Sequence, residues 1–303
     1  MRVVDLRQGR GPEDTPCAIA LGLFDGVHLG HRAVIGKAAE IAARRGLRLA
    51  VFTFPWGRKA VRPILTLDEK HAQLAALWVD TCYEPPFESF KTLSPEDFFT
   101  GMLLGEYNAK AVVCGENFGF GAKRAGNTTL LKALGAEHRV ELAVAGLTLY
   151  DGQPISSSRI REALADGQME NVNAMLGRTY ALAAPVGHGK RLGSTLGFPT
   201  LNQTFPEGVQ APALGVYATR TMVGGRAWPS VTGWGTRPTV DTAGSPTCET
   251  FIPGFEGDLY GDEVTVEFHK KIADSQRFDG PQALAAAVQS WAAEAAAYFQ
   301  KSF

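Results

Sequence analysis

The stretch CAIALGLFDGVHLGHRAVIGKAAEIAARRGLRLAVFTF, residues 17–54, constrains the fold more than any other part of the chain. CAIALGLF is apolar without alternation, the mark of a strand buried on both faces. HRAVIGKAAEIAARRG then places apolar residues at helical spacing and stops on a glycine, and LRLAVFTF is a second buried strand. Two such strands joined by a helix pair in parallel, because a parallel pair needs a crossover rather than a hairpin. The rhythm continues through DEKHAQLAALW, SPEDFFTGMLLGEY, AKAVVCGENFGFG, NTTLLKALGAEH and RVELAVAGLTL, which predicts an α/β doubly wound parallel sheet. Ligands of such sheets sit at the carboxyl ends of the strands, beside helix N-termini.

SSRIREALADGQMENVNAMLGRTY reads as two short helices, and from about Ala181 the pattern changes. YALAAPVGHG, GVYATRTMV, AWPSVTGWG, CETFIPGF and DEVTVEFHKKI are short β-prone runs separated by turn residues, as in a small antiparallel β-barrel. GPQALAAAVQSWAAEAAAYFQKSF follows as a C-terminal helix. At 303 residues there is room for two cores, so residues 1–180 are assigned to the α/β domain and 181–303 to the barrel. A net charge of −1 argues against a nucleic-acid partner, which a broad basic surface would have to neutralise, and leaves room for a small polyanion. Cys17, Cys82, Cys114 and Cys248 lack metal-ligand spacing, and neither a signal-peptide core nor a membrane-length apolar run is present. The expectation is a cytoplasmic chain with buried thiols and no membrane partner.

In GLFDGVHLGH the glycines let the backbone turn sharply after the strand, and the helix beginning near Gly30 points its free N–H groups back at the turn. His28 and His31 put two imidazoles on one side of that helix start. Phosphate is the natural ligand there. A metal would need a further ligand, for which Asp25 is the local choice, and plain capping by one histidine is the third possibility. A second cluster, PISSSRIREAL, offers Ser156, Ser157 and Ser158 at another helix start with Arg159 and Arg161 just inside it. Serines there ordinarily cap. With an arginine and free N–H groups they also make a phosphate clamp.

GLFDGVHLGH together with ISSSRIR resembles the H-x-G-H nucleotidyltransferases, and the intervening VVCGENFGFGAKRAGN is similar to the adenylyltransferase module of bacterial bifunctional riboflavin kinase/FAD synthetases. The resemblance implies transfer of AMP from ATP to FMN, giving FAD and pyrophosphate, by in-line attack without a covalent intermediate. It implies that His28 and His31 hold the ATP phosphates and that Ser156, Ser157, Ser158 and Arg161 grip them from the other side. Gly22, Phe24, Asp25, Gly26 and Asn117 are the further nucleotide-binding positions it implies, and Lys123 and Arg124 belong to a loop near FMN. One departure stands out. After the second strand the family has an acidic residue and a P-H-P turn, whereas this chain reads FTFPWGRKA, residues 52–60.

GHGKRLGSTLGFPTLN brings Gly187, Gly189, Lys190 and Gly193 together ahead of Phe198, Pro199, Thr200 and Asn202. Closely spaced glycine N–H groups and a lysine can embrace a polyphosphate, although an ordinary turn has the same composition. Thr200 and Asn202 alternate on an extended segment and so share a face, where their hard oxygens suit Mg²⁺. The block resembles the flavokinase signature G-F-P-T-x-N, with GWGTRPTV, CETFI and GDLYGDEVTVEF following in family order. That resemblance implies ATP-dependent phosphorylation of the riboflavin 5′-hydroxyl, with Mg²⁺ on Thr200 and Asn202 and Glu249 of CETFI as base. Ala273 stands where the family often has arginine, leaving Lys270, Lys271 or Arg277 to substitute. Leu201 and the GWG segment are lesser departures.

The leading expectation is an enzyme making FMN from riboflavin and FAD from FMN. Two alternatives are a riboflavin kinase with an altered N-terminal domain and a non-catalytic flavin-binding regulator.

Overall fold

The computed structural model describes residues 1–4, 13–54, 61–189, 197–235 and 247–301. The chain forms two compact units, Met1–Ser157 and Ser158–Phe303. In the first, β1 (Arg2–Val4), β2 (Cys17–Leu21), β3 (Arg48–Phe52), β4 (Thr81–Tyr83), β5 (Ala109–Gly115) and β6 (Glu141–Ala145) make one sheet in the order β1-β4-β3-β2-β5-β6. Every pairing in it is parallel, as the sequence predicts. Chain order reverses between β2 and β5, which makes their carboxyl ends the switch point of the sheet.

The helices of this unit are α1 (Leu29–Arg45), α2 (Leu67–Ala76), α3 (Phe87–Phe90), α4 (Pro95–Asp97) and α5 (Thr128–Glu137). α1 ends on Gly46 in the left-handed conformation, φ 63°, the glycine stop read from the sequence. SPEDFFTGMLLGEY starts as α4 and widens into a π-helical stretch over Phe98–Glu106, so that Tyr107 N donates to Met102 O at 3.1 Å. A hairpin of β7 (Leu149–Tyr150) and β8 (Gln153–Pro154) leads to Ser157. The core joins β2, β3 and β5 to the Phe98–Tyr107 segment, with Phe52 packed edge-on against Phe90 and Phe98 at 5.3 Å.

α6 (Ser157–Ala165) and α7 (Met169–Leu176) precede the second sheet. There β9 (Tyr180–Pro185), β10 (Thr200–Gln203), β11 (Gly215–Val223), β12 (Arg226–Gly235), β13 (Thr247–Phe251) and β14 (Glu263–Asp274) run in the order β10-β13-β12-β11-β14-β9, all antiparallel. Its two edges are joined across the gap. Gly187 N donates to Asn202 O at 2.8 Å, and the buried Gln203 carboxamide donates to both Ala184 O and Val264 O at 2.7 Å. A polar row lies on the inner face: Thr221, Ser230, Thr219, Thr232 and Thr250 are linked in that order by hydroxyl–hydroxyl bonds of 2.8–2.9 Å. The C-terminal helix α8 (Pro281–Lys301) lies on the outer face, burying Val216, Val231 and Phe251 under Leu284, Val288 and Trp291. Ala273 belongs to this apolar contact, Lys271 Nζ is bonded to Asp274 Oδ1 at 2.6 Å, and Lys270 lies over the Tyr298 ring.

All four cysteines are buried and free. Burial pushes the thiols of Cys17 and Cys82 up to about 12 and that of Cys114 to about 11, and raises Cys248 likewise.

Candidate functional site

The turn after β2 is strained where it meets α1. Phe24 and Val27 hold positive φ, 53° and 41°, a conformation that β-branched Val27 in particular disfavours. Gly26, at φ 80°, faces Ile64 closely enough that a Cβ would fall 3.0 Å from its Cδ1. His28 is the N-cap of α1, its Nδ1 accepting from His31 N at 3.3 Å, so the capping role is real. His31 stacks on His28 with ring centroids 3.6 Å apart, and Phe24 packs edge-on against it. Burial, then the charges of His28 and Lys70, hold His31 well below the usual imidazole range, so this ring is neutral at pH 7. Its Nδ1 is buried and has no hydrogen-bond partner among the described residues, a cost that a ligand could relieve.

Asp25 is buried and its Oδ1 accepts from Ile64 N at 2.9 Å, which ties the turn to the chain beyond Val61. Among the described residues no group of three His, Cys, Asp or Glu is placed to hold a metal ion. The backbone carbonyl of Asp25 accepts from Ser157 Oγ at 2.9 Å, so the first residue of α6 meets the glycine turn despite lying far along the chain. Gly30 packs tightly beneath the cap, since a Cβ there would fall 3.2 Å from the His28 ring. Ser156 immediately precedes α6, and within it Arg161 donates to Ser158 Oγ at 3.4 Å. A Cβ on Gly22 would fall 2.9 Å from the Phe24 ring. Asn117 O accepts from Arg124 at 3.2 Å, and Lys123 and Arg124 both take positive φ, so Arg124 folds back over its own loop.

In the second unit Asn202 and Glu249 are register partners on β10 and β13, while Thr200 opposes Phe251. Directly opposed residues of an antiparallel pair share a face with Cβ atoms about 5 Å apart. Glu249, Asn202 and Thr200 therefore line one face, an all-oxygen donor set whose chemistry fits Mg²⁺. Asn202 Nδ2 donates to Thr200 O at 3.2 Å, and Gly189 lies against the carboxamide so closely that a Cβ would come within 2.6 Å of Asn202 Cγ. Phe198 is buried, and Pro199 and Thr200 border a cleft of about 370 Å³ with Val186, Ile252 and Tyr260. Lys190, Gly193 and the turn residues 55–60 lie outside the described residues.

Sequence reading gave Lys70 and His71, in DEKHAQLAALW, no role. The structure buries Lys70 and joins its Nζ to Glu84 Oε1 at 3.0 Å, while His71 Nε2 meets Glu84 Oε2 at the same distance. No local pattern could announce this, because Glu84 follows a strand of only three residues, Thr81–Tyr83.

Two family profiles match the chain, FAD synthetase over residues 11–159 and riboflavin kinase over residues 176–299. The bifunctional riboflavin kinase/FMN adenylyltransferase of Listeria monocytogenes is 34% identical, covering 93% of this chain and 92% of its own length. That of Bacillus subtilis is 35% identical over 95% and 94%, and that of Escherichia coli K12 35% over 86% of each. A solved Streptococcus pneumoniae structure, named a macrolide-efflux protein, superposes with a TM-score of 0.85 at 26% identity, over 96% of this chain and 97% of that one. Among the residues described here, no helix is long and apolar enough to cross a membrane. With both halves matched in order and a third of positions identical over nearly the full length, the chain belongs to the bifunctional riboflavin kinase/FMN adenylyltransferase family.

Proposed function

We propose that residues 181–303 phosphorylate riboflavin with ATP and that residues 1–180 adenylylate the resulting FMN with a second ATP. The products are FMN plus ADP in the first step and FAD plus pyrophosphate in the second. In the barrel, Glu249 accepts the proton that the 5′-hydroxyl loses as its oxygen attacks the γ-phosphorus. Thr200 and Asn202 would hold Mg²⁺, which neutralises phosphate charge when bound, and the glycines Gly187 and Gly189 with Lys190 and Gly193 enclose the phosphates. The pairing of Asn202 with Glu249 is what carries this reading, since it sets the base beside the proposed cation ligands.

In the α/β unit the acceptor needs no base, because the FMN phosphate is already an anion at neutral pH. Catalysis is then positioning plus charge stabilisation. His28 and neutral His31 bind the ATP phosphates, and Ser156, Ser157, Ser158 and Arg161 complete the grip. The bond from Ser157 to the Asp25 carbonyl supports this assignment by joining the two motifs. The scattered, buried thiols and the absence of a broad basic surface favour a cytoplasmic enzyme of small molecules, without nucleic-acid or membrane partners.

Flavins resolved chromatographically over time, after mixing the protein with riboflavin, ATP and Mg²⁺, test both steps. Glu249→Gln stops FMN formation and still converts supplied FMN to FAD, and His28→Ala does the reverse. A folded variant that loses both steps refutes the two-site assignment, and FMN without FAD from the native chain refutes the second step.

A further inference from the structure

Gly233 stands in the interior of β12, where a glycine weakens a strand, since it loses more backbone freedom on folding than other residues and packs no side chain. The ordinary reasons for a glycine are absent there. Its φ is not in the left-handed region, and β12 keeps an unbroken register with β11 on one side and β13 on the other, so the strand has no bulge. Nor does another part of the described chain crowd it, because the nearest atom that a Cβ would meet is Glu249 O, at 3.9 Å. The remaining reason for a glycine inside a strand is close approach by a ligand.

Its neighbours identify the ligand. Thr232 belongs to the hydroxyl row of the inner face, so by alternation Gly233 faces outward with Val231. Register carries one row across that outer face: Asn202, Glu249, Gly233, Val216 and Ala273, on β10, β13, β12, β11 and β14 in turn. Gly233 is thus directly opposed to the proposed base, in a position where a side chain would start about 5 Å from the Glu249 Cβ. Among the other described neighbours of Glu249 on this face, Asn202 belongs to the proposed cation site and Phe251 is buried under α8. A hydroxyl within hydrogen-bond reach of Glu249 brings its carbon chain with it, and Gly233 is the neighbour over which that chain has room to pass. Gly233 also opens the GWG segment, where this chain departs from the family pattern.

We propose that Gly233 is a specificity-determining residue of riboflavin phosphorylation: its bare backbone is the floor over which the polyol chain crosses β12 to bring the 5′-hydroxyl to Glu249. The inference rests on the assignment of riboflavin phosphorylation to this unit with Glu249 as base. A side chain at residue 233 stands in the volume that the terminal carbons of the polyol occupy, so it opposes the acceptor and leaves the donor nucleotide unaffected. The same side chain suits a strand interior, a β-branched one above all, and so strengthens β12. These two effects have opposite signs, which separates loss of the substrate from loss of the fold.

The test uses the full chain carrying Gly233→Ala or Gly233→Val. In Gly233→Val the KM for riboflavin, and its dissociation constant by equilibrium dialysis, rise about tenfold, the effect of forcing extra methyl groups into a filled space. Gly233→Ala falls between this variant and the parent. The KM for ATP in the same reaction and FAD synthesis from supplied FMN stay unchanged, and the urea midpoint by circular dichroism is no lower than the parent's. Unchanged riboflavin affinity in Gly233→Val overturns the proposal. So does an equal rise in both KM values, or a urea midpoint that falls in step with the affinity across the two variants. If the native chain binds riboflavin and makes no FMN, the reading of Glu249 as base falls, and the dialysis still decides whether the flavin passes over Gly233; a native chain that binds no riboflavin overturns both.

Discussion

Replacing Gln203 by leucine tests how the barrel closes. The glutamine is 2% exposed, and its two amide hydrogens are used on Ala184 O and Val264 O, both at 2.7 Å. These carbonyls belong to register partners on β9 and β14, so one side chain on β10 does across the gap what a ladder of backbone bonds does elsewhere. Leucine keeps the volume and removes both donors. Each carbonyl that loses a partner in a buried site costs about 1–3 kcal/mol. Part of this is offset, because Gln203 Oε1 is itself buried without a partner among the described residues. The net expectation is a loss of about 2–5 kcal/mol in the barrel unit. At a urea dependence near 2 kcal/mol per molar, the midpoint drops by about 1–2.5 M. Riboflavin phosphorylation followed in rising urea reads that unit, and FAD synthesis from supplied FMN in the same samples is the internal control. A midpoint within experimental error of the parent, or an equal fall in both activities, would refute closure by Gln203.

Two further predictions concern titration and thiol chemistry. Because His31 stays neutral in the fold, between its folded value and about pH 6.5 the unfolded chain binds a proton that the native state does not. Stability therefore falls as pH drops below about 6.5, by at most about 1.4 kcal/mol per pH unit for this group; urea midpoints followed by circular dichroism should flatten with pH in His31→Gln, and an unchanged slope would contradict the burial argument. His269, lowered by burial in the second unit, adds the same sign. With thiols raised to about 11 and about 12 at Cys114, Cys17 and Cys82, and raised at Cys248, a disulfide reagent at pH 8 should label almost nothing in the native protein and all four sites in urea; rapid labelling of the folded chain would show that one of these sites opens.

The elements legible in the sequence were those with enough residues to show a period. β2, α1 and β3 follow directly from an apolar run, a helical spacing and a glycine stop, and β11, β12 and β14 from long β-prone runs between turns. β1 and β4 were not legible, because three residues show neither alternation nor a run, and β4 is identified as a strand only by its neighbours β1 and β3. The π-helical stretch after Asp97 was hidden for a different reason: its apolar residues suit an α-helix equally well, and the wider bonding, as from Tyr107 N to Met102 O, is what distinguishes the two. At the sites, motif residues could be named but not their local work. His28 is a cap, Asp25 anchors Ile64, and Ser157 spends its hydroxyl on a carbonyl; all three depend on contacts that the chain alone does not state. Gln203 and the Lys70–Glu84–His71 cluster were missed because each joins segments whose adjacency is created by the sheets.

The hydroxyl chain inside the barrel has a direction. Five hydroxyls joined by four bonds leave one proton unused by the chain. If the unused proton belonged to an interior member, that oxygen would accept from both sides and bury an unpaired O–H, so the favoured arrangements place it at an end. Only two such arrangements exist, and each is the reverse of the other. In one, every hydroxyl points toward Thr250, which turns its own proton outward; in the other, Thr250 donates inward and turns lone pairs outward. Thr250 also borders the cleft beside Thr200. The wall of that cleft is thus one end of a polarised line running across three strands to Thr221, and its two senses interchange only if all five hydroxyls turn together.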